Sequence, residues 1–135
     1  MINRVANDKI HEAARLVFAE ASKDGRAMAF AVVDEAAGLV FATRMENAAT
    51  RILTHAVRKA YTAAVMQRDT ITLRDSDREL GKTLADWGDA MLTHLVGGVV
   101  IKVRGEWLGG MAVGGNSTER DDEVARMALA VLVAE

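Results

Sequence analysis

Arg44, Glu46 and Asn47 fall together where the apolar run Leu39-Val-Phe-Ala-Thr gives out. A guanidinium two residues before a carboxylate at such a junction has two readings. It is a salt-bridged loop anchor, or it is a fork of donors for a substrate carboxylate with Glu46 as proton acceptor or donor. The second reading needs a pocket that partly desolvates Glu46, since only then does its pKa become useful. Asp34 closes the preceding apolar run, Ala27-Met-Ala-Phe-Ala-Val-Val, and brings a further carboxylate to the hairpin. Farther on, Arg51, His55, Lys59 and Thr62 recur at i, i+4, i+8 and i+11 on one helix face. That stripe is either the wet side of an amphipathic helix or a cationic strip beside Arg44 for a carboxylate or phosphate. Gly110, inside a glycine-thinned strand, and Asn116, in the turn after it, complete the candidate ligand contacts with Asp34, Asn47, His55 and Lys59.

Other chemistries find less support. Gly109-Gly-Met-Ala-Val-Gly-Gly115 lacks both a Gly-Lys-Ser/Thr ending and G-x-G-x-x-G spacing, so it is no phosphate loop. Ser22, Ser76 and Ser117 lie among charges or turn residues, outside any G-x-S-x-G context. The chain has no Cys, which excludes disulfides, thiol nucleophiles and thiolate-bound metals. His11, His55 and His94 never fall at ligand spacing with carboxylates, which leaves metal hydrolysis unsupported.

The elements that must position these residues follow from periodicity. Ile10, Ala13, Ala14, Val17, Phe18 and Ala21 recur at helical spacing, predicting a helix over 9–22 capped by Asn7 or Asp8 and ended at Gly25. The runs 27–34 and 39–45 form a hairpin around Glu35-Ala-Ala-Gly38. The first run is small on one face (Ala27, Ala29, Ala31, Val33) and larger on the other (Met28, Phe30, Val32), as suits a central strand covered on both sides. A helix over 50–67 follows, then a charged, weaker helix over 73–86, and a short strand at 91–94. A second hairpin is expected over 99–104 and 107–113. The last helix, over 119–133, is led by Thr118 with Asp121 at capping-box spacing. No strand–helix–strand crossover recurs, so the class is α+β with an antiparallel sheet rather than a parallel nucleotide-binding sheet.

The 135 residues are read as a single domain spanning 1–135, half hydrophobic and 27% charged, with a net charge of −2. No concentrated cationic run is present, which disfavours nucleic acid as a partner. No window approaches a membrane span or the apolar core of a signal peptide, so a cytoplasmic protein without a membrane partner is expected.

Taken together, Ala31-Val-Val-Asp34, Gly38-Leu-Val40, Arg44-Met-Glu46-Asn47-Ala48 and Lys59-Ala-Tyr-Thr-Ala63 resemble the GlcG/HbpS-like family. That family includes the C-terminal domain of PduO and is often labelled haem-degrading. The likeness continues through Gly97-Gly-Val, Gly105-Glu106, Gly109–Gly115 and Glu119–Ala125. It implies a profilin-like, five-stranded antiparallel sheet flanked by helices in the order α-β-β-α-α-β-β-β-α, and a homo-oligomer. Some relatives bind haem, and others accompany catabolic operons. Haem is therefore the cofactor implied here, with His11 on the first helix as the candidate iron ligand. Two departures stand out: Val99 replaces the family's Pro after the Gly-Gly pair, and the turn before the last helix reads Asn116-Ser117-Thr118. The resulting expectation is an oligomeric protein that binds a small, anionic molecule, with haem among the ligands. The alternative is a cofactor-free enzyme on a small carboxylate metabolite (proton transfer, hydrolysis or hydration), in which Arg44 clamps the carboxylate and Glu46 moves the proton.

Overall fold

The computed structural model describes residues 4–135. Helix α1 spans Asn7–Lys23 and begins two residues before the predicted start. Ala6 occupies the N-cap in an extended conformation with no side-chain cap, and Asp8, expected as a cap, instead sits in the first turn, where it complements the helix dipole. Gly25, at φ +65°, follows the helix as predicted.

Strands β1 (Ala29–Asp34) and β2 (Leu39–Arg44) pair antiparallel across an Asx-type turn, in which Asp34 Oδ1 accepts from the amides of Ala36 and Gly38 at 2.9 Å each. Helix α2 spans Thr50–Met66 and ends at Gln67, whose φ of +54° takes the chain out of the helix. Helix α3 is Thr70–Leu80, closed by Gly81 at φ +67°, and a single 3-10 turn at Leu84–Trp87 replaces the rest of the helix expected over 73–86. Strands β3 (Gly98–Val103) and β4 (Glu106–Gly114) form the second hairpin, and α4 (Thr118–Leu132) closes the fold. Its N-cap is Ser117, accepting from Arg120 N, one residue before the cap predicted at Thr118.

All strand pairs are antiparallel and the order is β2-β1-β4-β3, a sheet of four strands rather than the five expected. The missing strand is the one read at 91–94. Backbone there needs hydrogen-bond partners, and finds them outside the sheet. The Arg58 guanidinium donates to the carbonyls of Ala90, Met91 and Leu92 at 2.8, 3.2 and 3.0 Å, and the Thr93 amide donates to Thr62 Oγ1 at 3.0 Å.

The two faces of the sheet are packed differently. On one, Met28, Phe30, Val32, Val99, Ile101 and Met111 meet α1 and α4 in a core of large side chains. On the other, Ala29, Ala31 and Ala112 meet Ala56, Ala60 and Ala64 of α2, so helix and sheet approach closely. Gly110 is part of that approach: a Cβ there would lie 2.4 Å from the Ala60 carbonyl oxygen. Next to it, Gly109 holds φ +128° beside the bulge at Ile101/Lys102, with Val33 O only 2.1 Å from where a Cβ would stand. Among the described residues, no helix is long and apolar enough to cross a membrane.

Candidate functional site

Because α2 lies on alanine and glycine, the polar stripe along its side comes down beside the end of β4 and the start of α4. There it borders a cleft of about 310 Å³. Arg51, His55 and Lys59 come from α2, Leu95 and Val96 from the preceding loop, Asn116 and Asp121 from the entry to α4, and Arg26 from the loop after α1.

Lys59 is the floor of this cleft. Its ammonium donates to Val113 O at 3.0 Å and to Asp121 Oδ2 at 3.3 Å, and both side chains of the ion pair are almost fully buried. Asp121 Oδ1 accepts in turn from the Asn116 amide at 3.0 Å, which fixes the turn before α4. Gly97 and Gly114 leave room for the ammonium, since a Cβ at either would stand 3.1–3.2 Å from Nζ. Burial pushes the Lys59 amine below its ordinary pKa, opposed by Asp121; burial likewise pushes the Asp121 carboxyl up, opposed by Lys59. His55, half-buried on the wall, is held below the ordinary imidazole pKa by burial first and then by the charges of Lys59, Arg51 and Arg58. Arg26 and Arg51 are exposed and make no side-chain hydrogen bond among the described residues. A neutral imidazole, two guanidiniums without side-chain hydrogen bonds among the described residues and a buried ion pair around one concavity suit a small anion that also offers a proton or an acceptor to His55.

The candidate residues divide between this cleft and the rest of the surface. His55, Lys59 and Asn116 are brought together here. Arg44 is not: its Nη1 donates to Ala48 O at 2.9 Å and to Thr50 Oγ1 at 3.1 Å, anchoring the β2–α2 loop. Glu46 and Asn47 are exposed on that loop, with no side-chain hydrogen bond among the described residues. Asp34 is occupied by its own turn and by Arg4 at 3.3 Å; the Gly38 amide above all, with those of Ala36 and the Arg4 guanidinium, holds its carboxyl below the usual range. Gly110 faces the backbone of α2. His11 is exposed on α1, its ring edge-on to Phe41 at 5.1 Å. Arg26 and Asp121 belong to the cleft and escape sequence reasoning, Asp121 because its spacing from Thr118 reads as a helix cap. The one available signal was an acidic residue beyond what capping that helix requires.

Comparison with known proteins places this arrangement in context. The sequence pattern of the family described as "Haem degrading protein HbpS-like" matches residues 5–130. No curated protein matches the chain. Among solved structures, HbpS aligns with a TM-score of 0.85 at 28% identity, over 100% of this chain and 94% of that one. A haem complex of PduOC aligns at 0.86 with 23% identity, over 96% and 95% of the two chains. The Klebsiella pneumoniae protein ORFY aligns at 0.86 with 21% identity, over 100% and 95%.

Proposed function

The chain belongs to the HbpS-like family of haem-degrading proteins, and on that premise we propose that it is a small-ligand-binding protein whose ligand is anionic and seats in the cleft over Lys59. The observation that carries this reading is the convergence of Arg26, Arg51 and a neutral His55 above a buried Lys59–Asp121 pair. Guanidiniums that make no side-chain hydrogen bond among the described residues supply charge-assisted hydrogen bonds to a carboxylate. The buried pair fixes the floor without consuming them. Self-association is part of the same reading, supported by Leu39 and Val40, which lie exposed on the edge strand β2.

Haem fits the donor set around this side of the molecule. Beyond Leu95, Val96 and Thr118 the cleft continues into a second hollow of about 350 Å³ lined by Arg74, Arg78, Thr93 and His94. The His55 imidazole for the iron and arginines for the propionates therefore lie on adjoining walls. His11 borders neither hollow. When bound, haem supplies an iron centre for oxygen or electron-transfer chemistry, tuned by its axial donor. The chain's own residues bind and orient it.

The test is calorimetric titration of the full chain with a panel of small mono- and dicarboxylates and with ferric haem, beside Arg51→Ala. Saturable binding that Arg51→Ala weakens about tenfold or more is expected, since a hydrogen bond to a charged group contributes about 1.5–3 kcal/mol. Binding to no member of the panel, or binding indifferent to Arg51, sinks the reading.

A further inference from the structure

Asp77, on α3, is completely buried, a costly place for a carboxylate unless it is paired. Three hydrogen bonds compensate it. His94 Nε2 lies 2.6 Å from Oδ2, and Trp87 Nε1 donates to Oδ1 and Oδ2 at 3.2 and 3.1 Å. Burial raises the Asp77 carboxyl, but the bonds from His94 and Trp87 outweigh it and hold the group below its ordinary pKa, so it is a carboxylate that accepts. A neutral His94 therefore carries its proton on Nε2 and keeps a lone pair on Nδ1. That nitrogen has no partner among the described residues, and the ring lines the hollow of about 350 Å³. Arg74 and Arg78 stand one turn apart on α3 and border the same hollow. Arg78 makes no side-chain hydrogen bond among the described residues, and Arg74 bonds only its neighbour Asp75.

Two kinds of group thus border one small space. The guanidiniums can only donate, which suits a carboxylate. The ring nitrogen Nδ1 can only accept, because the carboxylate behind the ring fixes the tautomer. An anion with no proton to give leaves that lone pair unmatched. An ammonium would match it, but against two guanidiniums. A hydroxyl matches it without adding charge, and as a slim group it can approach Nδ1 beside the adjoining Cβ. We propose that this hollow is a subsite for a small hydroxycarboxylate, its carboxylate held by Arg74 and Arg78 and its hydroxyl donating to His94 Nδ1, with Asp77 as the positioning residue that sets the tautomer. The cleft over Lys59 is a separate place, sharing Leu95, Val96 and Thr118 with this hollow. The subsite depends on neither the ligand of that cleft nor haem.

The test is NMR of the His94 ring nitrogens in the full chain at about pH 8, above the range in which imidazoles ordinarily titrate, during titration with lactate, propionate and pyruvate. These acids share the carboxylate and differ at the next carbon, which carries a donor, nothing, or an acceptor. Wild type should show the Nε2–H form and bind lactate about tenfold or more tighter than the other two, a ratio that needs no variant. Arg78→Ala, at an exposed position, should weaken lactate and propionate alike by about tenfold, and Arg51→Ala should change neither at this ring. In Asp77→Asn, Trp87 Nε1 can still only donate, so it holds the amide oxygen on its own side and turns the amide NH₂ towards His94. The ring proton then moves to Nδ1, and the preference should reverse in favour of pyruvate. A merely structural Asp77 would instead weaken all three acids together. Should Asp77→Asn fail to fold, the wild-type ratio and Arg78→Ala decide. Lactate bound no tighter than propionate, binding indifferent to Arg78, or a folded Asp77→Asn protein that keeps the lactate preference overturns the subsite. The cleft over Lys59 survives each of those results, since it is read by Arg51→Ala.

Discussion

Two regions of this molecule offer polar side chains at the ends of elements, and they use them in opposite ways. At the β2–α2 junction, Arg44 spends its guanidinium on Ala48 O and Thr50 Oγ1, groups four and six residues away. In the cleft beside α2, Lys59 reaches Asp121, 62 residues distant, and both are stripped of water. A charge that finds neutral partners within its own loop stays wet. Charges brought together by packing are the ones whose surroundings shift their chemistry, as at Lys59, Asp121 and His55.

Substitutions in the two regions should differ in cost. Asp121→Asn strands the Lys59 ammonium in the interior and should cost about 3–5 kcal/mol in urea unfolding, whereas Arg44→Ala should cost only about 1 kcal/mol. Equal losses would abolish the distinction between the regions. Gly110→Ala drives a methyl group to 2.4 Å from the Ala60 carbonyl and should destabilise by about 1–3 kcal/mol or more; a neutral result would mean that α2 lifts freely from the sheet.

A smaller effect concerns pH. His55 in the folded chain binds its proton less readily than the unfolded chain does near about 6.5. Above that value both forms are neutral and the residue contributes no slope. As pH falls below it, the unfolded state takes up the proton first, so stability declines until the folded-state pKa is passed. His55→Gln should flatten this portion of the stability–pH curve. Smallest of all, Glu46→Gln should change stability by no more than about 0.5 kcal/mol and leave ligand titrations unaltered. A loss of binding there would return attention to the hairpin end.

Much of the architecture was legible because it rests on local periodicity. The alternation of small and large residues in 27–34 announced a central strand, and the structure puts α2 on the alanine side and α1 with α4 on the other. Glycines at 109 and 110 inside a strand imply a close backbone approach, a bulge or a ligand passing nearby, and the structure has the first two. The fifth strand failed for a reason no window can hold: the carbonyls of 90–92 are satisfied by Arg58, over thirty residues away. The site divides in the same manner. His55 and Lys59 were visible as a stripe, since helical spacing is local. Asp121 was not, because burial, which gives it its role, arises only when distant elements close over it.

The alanine and glycine surface under α2 has a kinetic consequence. Where the helix rests on alanine and glycine there is little side-chain length to absorb a tilt, so the segment carrying Arg51, His55 and Lys59 meets an arriving molecule with its walls already in place. Capture should then proceed as one diffusive encounter, its rate linear in concentration and lowered by salt, while competing ligands differ chiefly in how long they stay.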